Sequence, residues 1–465
     1  MNRIDVLPDD VLLGIFDFYM TINSSLFGSK PGVEVWQSLV HVCRRWRSLV
    51  LGSSPLHLRL RLCCTPKTPA KDTLDVWPAL PLIVTGEMTL SGTDNIVAAL
   101  GQNNRVREVL LRGLVGWQLE NLLAAMQVPF PELAELRLYS NINDETLPVI
   151  PDSFLGGSAP RLRVFSLTGV PFPGFPKLLL SVDRLLSLDL LNIPHSGYIS
   201  PEAMVSVLSV LSDLRRLSLK FQSPRSNPDW ESRSLPPPKH AILPALDEFH
   251  FQGITEYLEE LATRIDTPQL KRLYIMFFNQ IDFDTLRLAQ FINRTPTFRA
   301  LDEAHVQFDR STASVKLRYR TPNFIFGHLE ISIPCREPDW QLSSIEQVCN
   351  SSLRHLSTVE DLYIDRRYVP LVWTNDSIEN SLWLQLLLPF PAVKNLYLSK
   401  EVAPGIAAAL RELAEVRTTE VLPRLEDIFV EGLGPWGPLQ KNIGQFVAVR
   451  PLSDRPISIS VWDKR

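Results

Sequence analysis

Metal or nucleophilic chemistry would have to be built from eight histidines and five cysteines, and neither set has the spacing such sites need. Zinc takes ligands paired at short, regular intervals, yet there is no H-E-x-x-H and no C-x-x-C; no EF-hand loop offers oxygens to calcium. Cys43, Cys63, Cys64, Cys335 and Cys349 are scattered, and Cys63 and Cys64 are adjacent rather than spaced for a metal or redox pair. No G-x-S-x-G nucleophile elbow occurs. Gly28-Ser29-Lys30 fails as a phosphate loop, because Asn23 stands where the first glycine belongs and the Ser-Lys order is reversed. No catalytic residue, metal or cofactor is therefore expected, and the chain reads as non-enzymatic. The competing reading, an enzyme built on loops, requires a deep pocket with clustered titratable groups.

A different chemistry is legible beside short apolar stretches near the C-terminus. Asp361, Tyr363 and Asp365, then Tyr397, then Asp427, Phe429 and Glu431 fall at matching places of three successive stretches. Aromatic side chains are typical anchors for protein partners, and carboxylates favour cations. These seven residues are expected to bind a basic, partly apolar segment of a protein substrate. The alternative is a solvated face whose aromatics pack along a sheet. Glu303 and Glu330 extend the acidic group, whereas the corresponding earlier positions, such as Glu135, Arg137, Arg216, Lys220 and Arg272, carry mixed charge.

The elements that must position these residues recur. The pattern apolar-x-x-apolar-x-apolar appears twelve times, stepping by about 29 residues on average from Val106/Val109/Leu111 to Leu425/Ile428/Val430. Strong copies include Leu133/Leu136/Leu138, Leu214/Leu217/Leu219, Leu246/Phe249/Phe251, Val359/Leu362/Ile364 and Val393/Leu396/Leu398; Leu301/Ala304/Val306 and Phe326/Leu329/Ile331 are weaker. Helices are expected between copies, over Gln118–Met126, Pro201–Leu211, Tyr257–Ile265, Thr285–Ile292, Ile345–Leu356, Ile378–Leu388 and Ile406–Val416. One such unit cannot bury its own apolar face, so neighbours must stack. Strand-then-helix units of this size resemble leucine-rich repeats, in degenerate form, since Asn141 alone supplies the asparagine usual after the strand. The resemblance implies an α/β solenoid with parallel strands on the concave face and helices on the convex face; an ordinary α/β domain with parallel strands is the rival. Pro224–Pro244 reads as an exposed loop, Pro435–Gly437 as a turn, and Ile457–Trp462 as a closing strand.

The N-terminal segment is different. Pro8 suits the first turn of a helix, and Asp9 and Asp10 favour its positive end. Val11, Leu12, Ile15, Phe16 and Tyr19 share one face; Leu39, Val42, Cys43, Trp46, Leu49 and Val50 make a second. That is more apolar surface than two or three helices can hide by themselves. Leu7-Pro8-Asp9-Asp10-Val11-Leu12, followed by Val42-Cys43-Arg44-Arg45-Trp46-Arg47-Ser48-Leu49, resembles the F-box, over about a tenth of the chain. The stretch Met20–Glu34, read as a surface loop, is longer than that family's. The resemblance implies docking on a Skp-type adaptor through Leu7, Pro8, Val11, Leu12, Ile15, Val42, Cys43, Trp46 and Leu49. It further implies a cullin scaffold and a role as substrate-recognition subunit of a ubiquitin ligase. The alternative is a repeat scaffold whose N-terminal helices are only a cap.

Composition sets the bounds. The 465 residues are 45% hydrophobic and 21% charged, a globular balance. The net charge of −4 makes no electrostatic case for nucleic acid or membrane as partner. The start of the sequence lacks the apolar run of a signal peptide, and the unpaired cysteine count fits a reduced compartment, so cytoplasm or nucleus is expected. The expected organisation is a helical domain over 1–56, a linker and first capping unit over 57–103, and the repeat array over 104–465.

Overall fold

The computed structural model describes residues 6–26, 35–53, 58–63, 69–87, 92–140, 147–172, 177–182, 184–224, 240–278, 285–299, 301–319, 327–366, 379–416, 421–432, 438–449 and 457–462. The chain forms two compact units, Met1–Ile199 and Ser200–Arg465.

The first unit opens with three helices, α1 (Asp9–Leu26), α2 (Val35–Val40) and α3 (Arg44–Gly52). Asp9 and Asp10 occupy the first turn of α1, next to its positive dipole end. Arg45 of α3 clamps that end: its Nη2 donates to Leu7 O and to Asp9 Oδ1, each at 2.6 Å. Cys43 caps α3, its Sγ accepting from Trp46 N at 3.4 Å. Leu12, Phe16, Leu39, Val40 and Val50 are buried between the helices, and the Phe16 and Trp46 rings lie 4.7 Å apart. Trp36 ties this bundle to the start of the sheet, donating from Nε1 to Arg59 O at 2.9 Å and packing edge-on to Trp77. The helix α1 runs to Leu26, so the expected loop from Met20 begins later; 27–34 lie outside the described residues.

The same unit continues with β1 (Leu60–Cys63), α4 (Ala70–Val76), β2 (Leu82–Glu87), α5 (Thr93–Leu100), β3 (Val106–Leu114), α6 (Gly116–Ala125), β4 (Glu135–Ser140), β5 (Val164–Thr168), α7 (Lys177–Leu180) and β6 (Ser187–Ile193). The six strands pair in sequence order, all parallel. Residues 57–103 thus supply the first two strands of the sheet.

The second unit runs α8 (Pro201–Leu208), β7 (Arg216–Phe221), β8 (Ala241–Ile242), β9 (Glu248–Gly253), α9 (Thr255–Arg264), β10 (Ile265–Asp266), β11 (Arg272–Phe277), α10 (Leu286–Arg294), β12 (Glu303–Phe308), β13 (Thr312–Arg318), β14 (His328–Pro334), α11 (Pro338–Ser352), β15 (Asp361–Arg366), α12 (Asn380–Leu387), β16 (Asn395–Leu398), α13 (Ala403–Val416), β17 (Asp427–Glu431), α14 (Pro438–Val449) and β18 (Ser458–Trp462). Its sheet is ordered β7-β9-β11-β14-β13-β12-β15-β16-β17-β18, and β8 pairs β10 separately. Strand side chains alternate faces. Leu217 and Leu219, Phe249 and Phe251, Leu362 and Ile364, and Ile428 and Val430 are at most 1% exposed. Each buried side chain of this kind contributes about 1.5–3 kcal/mol. Successive helices pack on one another behind the sheet, α8 on α9, α9 on α10, and so on to α13 on α14. The opposite face is left open.

One expectation is corrected here. The strands are not all parallel, because β13 runs antiparallel to both β12 and β14. Residues 309–311 alone separate β12 from β13, with Asp309 N donating to Thr312 O at 2.8 Å. A link this short closes a hairpin, whereas a parallel neighbour needs a crossover of a dozen residues or more. The copies at Leu301 and Leu329 are therefore strands two places apart, and β14 pairs with β11. Within Pro224–Pro244, expected as loop, Ala241–Ile242 is strand, and 225–239 lie outside the described residues, as do Gly28-Ser29-Lys30, Cys64 and Pro435–Gly437.

Candidate functional site

On the open face of the second unit, parallel registry sets equivalent side chains beside one another. The pairs His305↔Tyr363, Tyr363↔Tyr397 and Tyr397↔Phe429 are direct cross-strand neighbours. Their rings form a ladder with centroids 4.3, 4.1 and 4.5 Å apart and planes within 8° of parallel. Trp462 leans on Tyr363 and Tyr397 at 5.8 and 5.7 Å. Such rings spend their faces on each other, so this stretch is a braced platform presenting ring edges. Burial, then the neighbouring Tyr397 and Glu303, push the Tyr363 hydroxyl well above its ordinary value, so it stays a donor.

The carboxylates expected beside those aromatics divide. Asp361 and Asp365 are only 2% and 5% exposed. Asn395 Nδ2 donates to Asp361 Oδ1 at 2.6 Å. Asp427, which accepts from Ser458 Oγ, and Glu431 remain half-buried at the surface. Asp427, Glu431 and the ladder edges are thus what this half offers a partner.

Glu303 and Glu330, expected in the same acidic group, are instead neutralised by β13. Arg318 Nε donates to Glu303 Oε1 at 2.7 Å, and Lys316 Nζ meets Glu330 Oε1 at 3.2 Å. Three Glu–His pairs recur on this face, each two residues apart on one strand: Glu248–His250, Glu303–His305 and His328–Glu330. Burial alone would raise the Glu248 carboxyl, but the His250 bond with Arg216 and Arg272 outweighs it and holds the group below 4.5. Glu303, through His305 and Arg318, and Glu330, through His328 and Lys316, are lowered against burial in the same way. A carboxylate depressed in the folded state stabilises above its unfolded value and loses that contribution as pH falls through the folded one. The His250 imidazole is lowered by burial despite Glu248, so the unfolded chain takes up that proton first below 6.5. Melting temperature is expected to decline gently below pH 6.5 and steeply below 4.5; a pH series of thermal melts checks this, and Glu248→Gln flattens the acid limb.

With these pairings the face is polarised. Strands β7, β9, β11, β13 and β14 present Arg216, Lys220, Arg272, Lys316 and Arg318 against Glu248 and Glu330, a formal +3. Strands β12 and β15–β18 carry Glu303, Asp361, Asp365, Asp427 and Glu431 with no lysine or arginine among the described residues of that face, a formal −5, of which Glu303 is paired with Arg318, Asp361 and Asp365 are buried, and Asp427 and Glu431 reach the surface. The basic half holds a concavity of about 180 Å³ lined by Lys220, His250, Gln252, Tyr274, Met276, Glu330 and Ser332, with Phe251 and Ile275 at its base. His250 stacks on Tyr274 at 4.4 Å. Sequence reasoning placed Lys220 on this face but not the hollow, because its far wall comes from β14, which only the hairpin brings beside β11.

The N-terminal helices form a second candidate surface. Leu12 and Phe16 fill the bundle core, whereas Val11, Ile15 and Val42 are 42%, 47% and 59% exposed, with Phe18 and Tyr19 also exposed. Pro8 is exposed and Leu7, Trp46 and Leu49 are half-buried. The expected single apolar face of α1 is thus split. Of the nine expected docking residues, Leu12 serves the interior, Cys43 the cap of α3, and Val11, Ile15 and Val42 the exterior.

One further sequence pattern lies outside these surfaces. Gly432-Leu433-Gly434-Pro435-Trp436-Gly437 spells G-x-G-x-x-G between β17 and α14, where a dinucleotide fingerprint would lie. Gly432 adopts φ +63°, and 433–437 lie outside the described residues. Among the described residues no cluster of three His, Cys, Asp or Glu side chains could hold a metal ion, and no helix is long and apolar enough to cross a membrane.

No family model matches the chain, and no curated protein matches it. Among solved structures, the leucine-rich repeat-containing protein LegL7 from Legionella pneumophila is similar over 86% of this chain and 100% of that chain, at 13% identity and a TM-score of 0.27. The strand-and-helix repeat rests on this chain's own register and burial: a long, mostly parallel α/β sheet with helices behind it.

Proposed function

We propose that this chain is a non-enzymatic receptor of the F-box type with degenerate leucine-rich repeats. Its N-terminal helices dock on a Skp-type adaptor, itself bound to a cullin scaffold, and the open face of its repeats holds a protein substrate. The chain makes no bonds; it supplies proximity for ubiquitin transfer by the assembled ligase. The observation that carries the reading is the apolar set Val11, Ile15 and Val42, left exposed inside the F-box-like motif while Leu12 and Phe16 hold the core. An isolated monomer gains nothing from three such side chains in water, whereas burying each against a partner contributes about 1.5–3 kcal/mol. Asp427, Glu431 and the edges of Tyr363, Tyr397 and Phe429 would meet a basic part of the substrate.

The test is co-purification of the full chain with a Skp-type adaptor. Ile15→Glu and Val42→Glu sit at exposed positions, so they leave folding intact, and each is expected to weaken the complex at least tenfold, since about 1.4 kcal/mol is a factor of ten. Failure of the folded wild-type chain to bind any such adaptor would leave the second reading, a repeat scaffold with a helical cap, in its place. That reading is supported by Trp36, whose bond to Arg59 and packing on Trp77 seat the helices against the start of the sheet.

A further inference from the structure

The hollow in the basic half has features that the rest of the face lacks. Four of the five cations there are engaged: Arg216 and Arg272 with Glu248 at 2.8 and 3.0 Å, Lys316 with Glu330, and Arg318 with Glu303. Lys220, on the rim, has no carboxylate partner among the described residues. Around it stand the Gln252 amide, whose Nε2 donates to Phe221 O at 3.3 Å, and the Ser332 hydroxyl, which donates to Glu330 Oε1 at 3.4 Å; both bonds are long, so either group can turn toward a ligand oxygen. The carboxylate in the hollow, Glu330, is already satisfied by Lys316 and His328 and so does not compete for Lys220. Beside these donors lie the ring edge of Tyr274 and the thioether of Met276, apolar ground for a neighbouring side chain.

The size of the hollow is informative. Its volume is about 180 Å³. That admits one side chain, and it is smaller than the pockets of about 300–1,000 Å³ that enclose small-molecule ligands. The charge around it selects further. A polyanion such as nucleic acid lying along this face would run from the basic half onto Asp427 and Glu431 and be repelled there, whereas a short acidic stretch stays within the basic half.

We propose that the hollow beside Lys220 seats an Asp or Glu side chain of a protein partner, with the adjoining partner residue against Tyr274 and Met276. The partner then reads the face in a fixed direction, its acid over β7, β9, β11 and β14 and any basic stretch over β15–β18. This rests on the reading that the open face holds a protein, and it adds which chemistry is recognised and where. Lys220 is a specificity-determining residue in this arrangement.

Random dodecamer peptides displayed on phage, panned against the full chain and against Lys220→Glu, test it. The wild-type pool is expected to be enriched at least threefold in Asp and Glu. The best synthetic peptide should bind Lys220→Glu at least tenfold more weakly, and should weaken in added salt. Lys220→Met keeps the reach of the side chain without its charge and should also lose affinity; unchanged circular dichroism of either variant shows that the fold is retained. A pool enriched in neutral or basic sequences, or peptides insensitive to both substitutions, overturns the inference and leaves the wider reading standing. No enrichment of any sequence overturns both the inference and the role of the open face, while adaptor docking is judged separately through Ile15 and Val42. Displacement of the selected peptide by a twenty-nucleotide oligo-dT overturns it in favour of a nucleic-acid surface.

Discussion

Phe16→Ala is expected to remove about 3–5 kcal/mol from the N-terminal helices, the usual cost of emptying a buried aromatic site. Phe16 is fully buried, and its ring lies 4.7 Å from that of Trp46 across the α1–α3 contact. The loss is comparable with the whole net stability of a small helical subdomain. Amide hydrogen exchange should show protection collapsing over residues 9–53 while the strands of the second unit stay protected. The proposed adaptor binding should vanish with it. Ile15→Glu, one residue away, should keep protection and lose binding alone. Equal loss of protection in both variants would show that Ile15 also holds the bundle together, against its exposure. The contrast matters because the F-box resemblance names both core and surface residues, and only a variant at an exposed position separates docking from folding.

Trp383→Ala is expected to cost about 3–5 kcal/mol in the second unit. Trp383 is almost wholly buried on α12, edge-on to Phe308 of β12 at 6.1 Å. It lies so close to α13 that a Cβ at Gly405 would approach its Nε1 to 2.8 Å. Phe308 shares β12 with His305, which opens the ring ladder on the other side of the sheet. Loss of the indole therefore unseats the strand that starts the ladder. The urea midpoint should fall, and the near-ultraviolet circular dichroism from the stacked tyrosines should weaken with it. Trp383→Phe, which keeps part of the volume, should recover much of both. A ladder signal unchanged at a lowered midpoint would mean that Tyr363, Tyr397 and Phe429 hold their stacking without support from behind.

The repeat was legible because its signal is local. Apolar residues at fixed spacing in a short strand decide which side chains turn inward, and every described first, second and third position of the twelve copies is buried. Seven helix positions followed from the intervals, with α11 beginning earlier, at Pro338, than the apolar run from Ile345 suggests, whereas α4, α7 and α14 were not expected. The F-box-like residues were likewise legible as types and spacing. Their division between interior and exterior was not, because Leu12 and Ile15 differ only in which neighbours α2 and α3 bring to them.

Pairing order is where local reasoning ran out. Thr312–Arg318 alternates well enough to be a strand, yet nothing in its own residues says that it inserts between β12 and β14. That insertion brings Arg318 to Glu303 and Lys316 to Glu330, turning an apparently acidic stretch into a polarised face, and it sets β14 against β11 to form the hollow at Lys220. Side-chain direction and burial are decided within a few residues by alternation and hydrophobicity, so the amino-acid order alone carried them. Which charge meets which, and which rings stack, depends on strands far apart in the chain, and folding in three dimensions was needed to settle them.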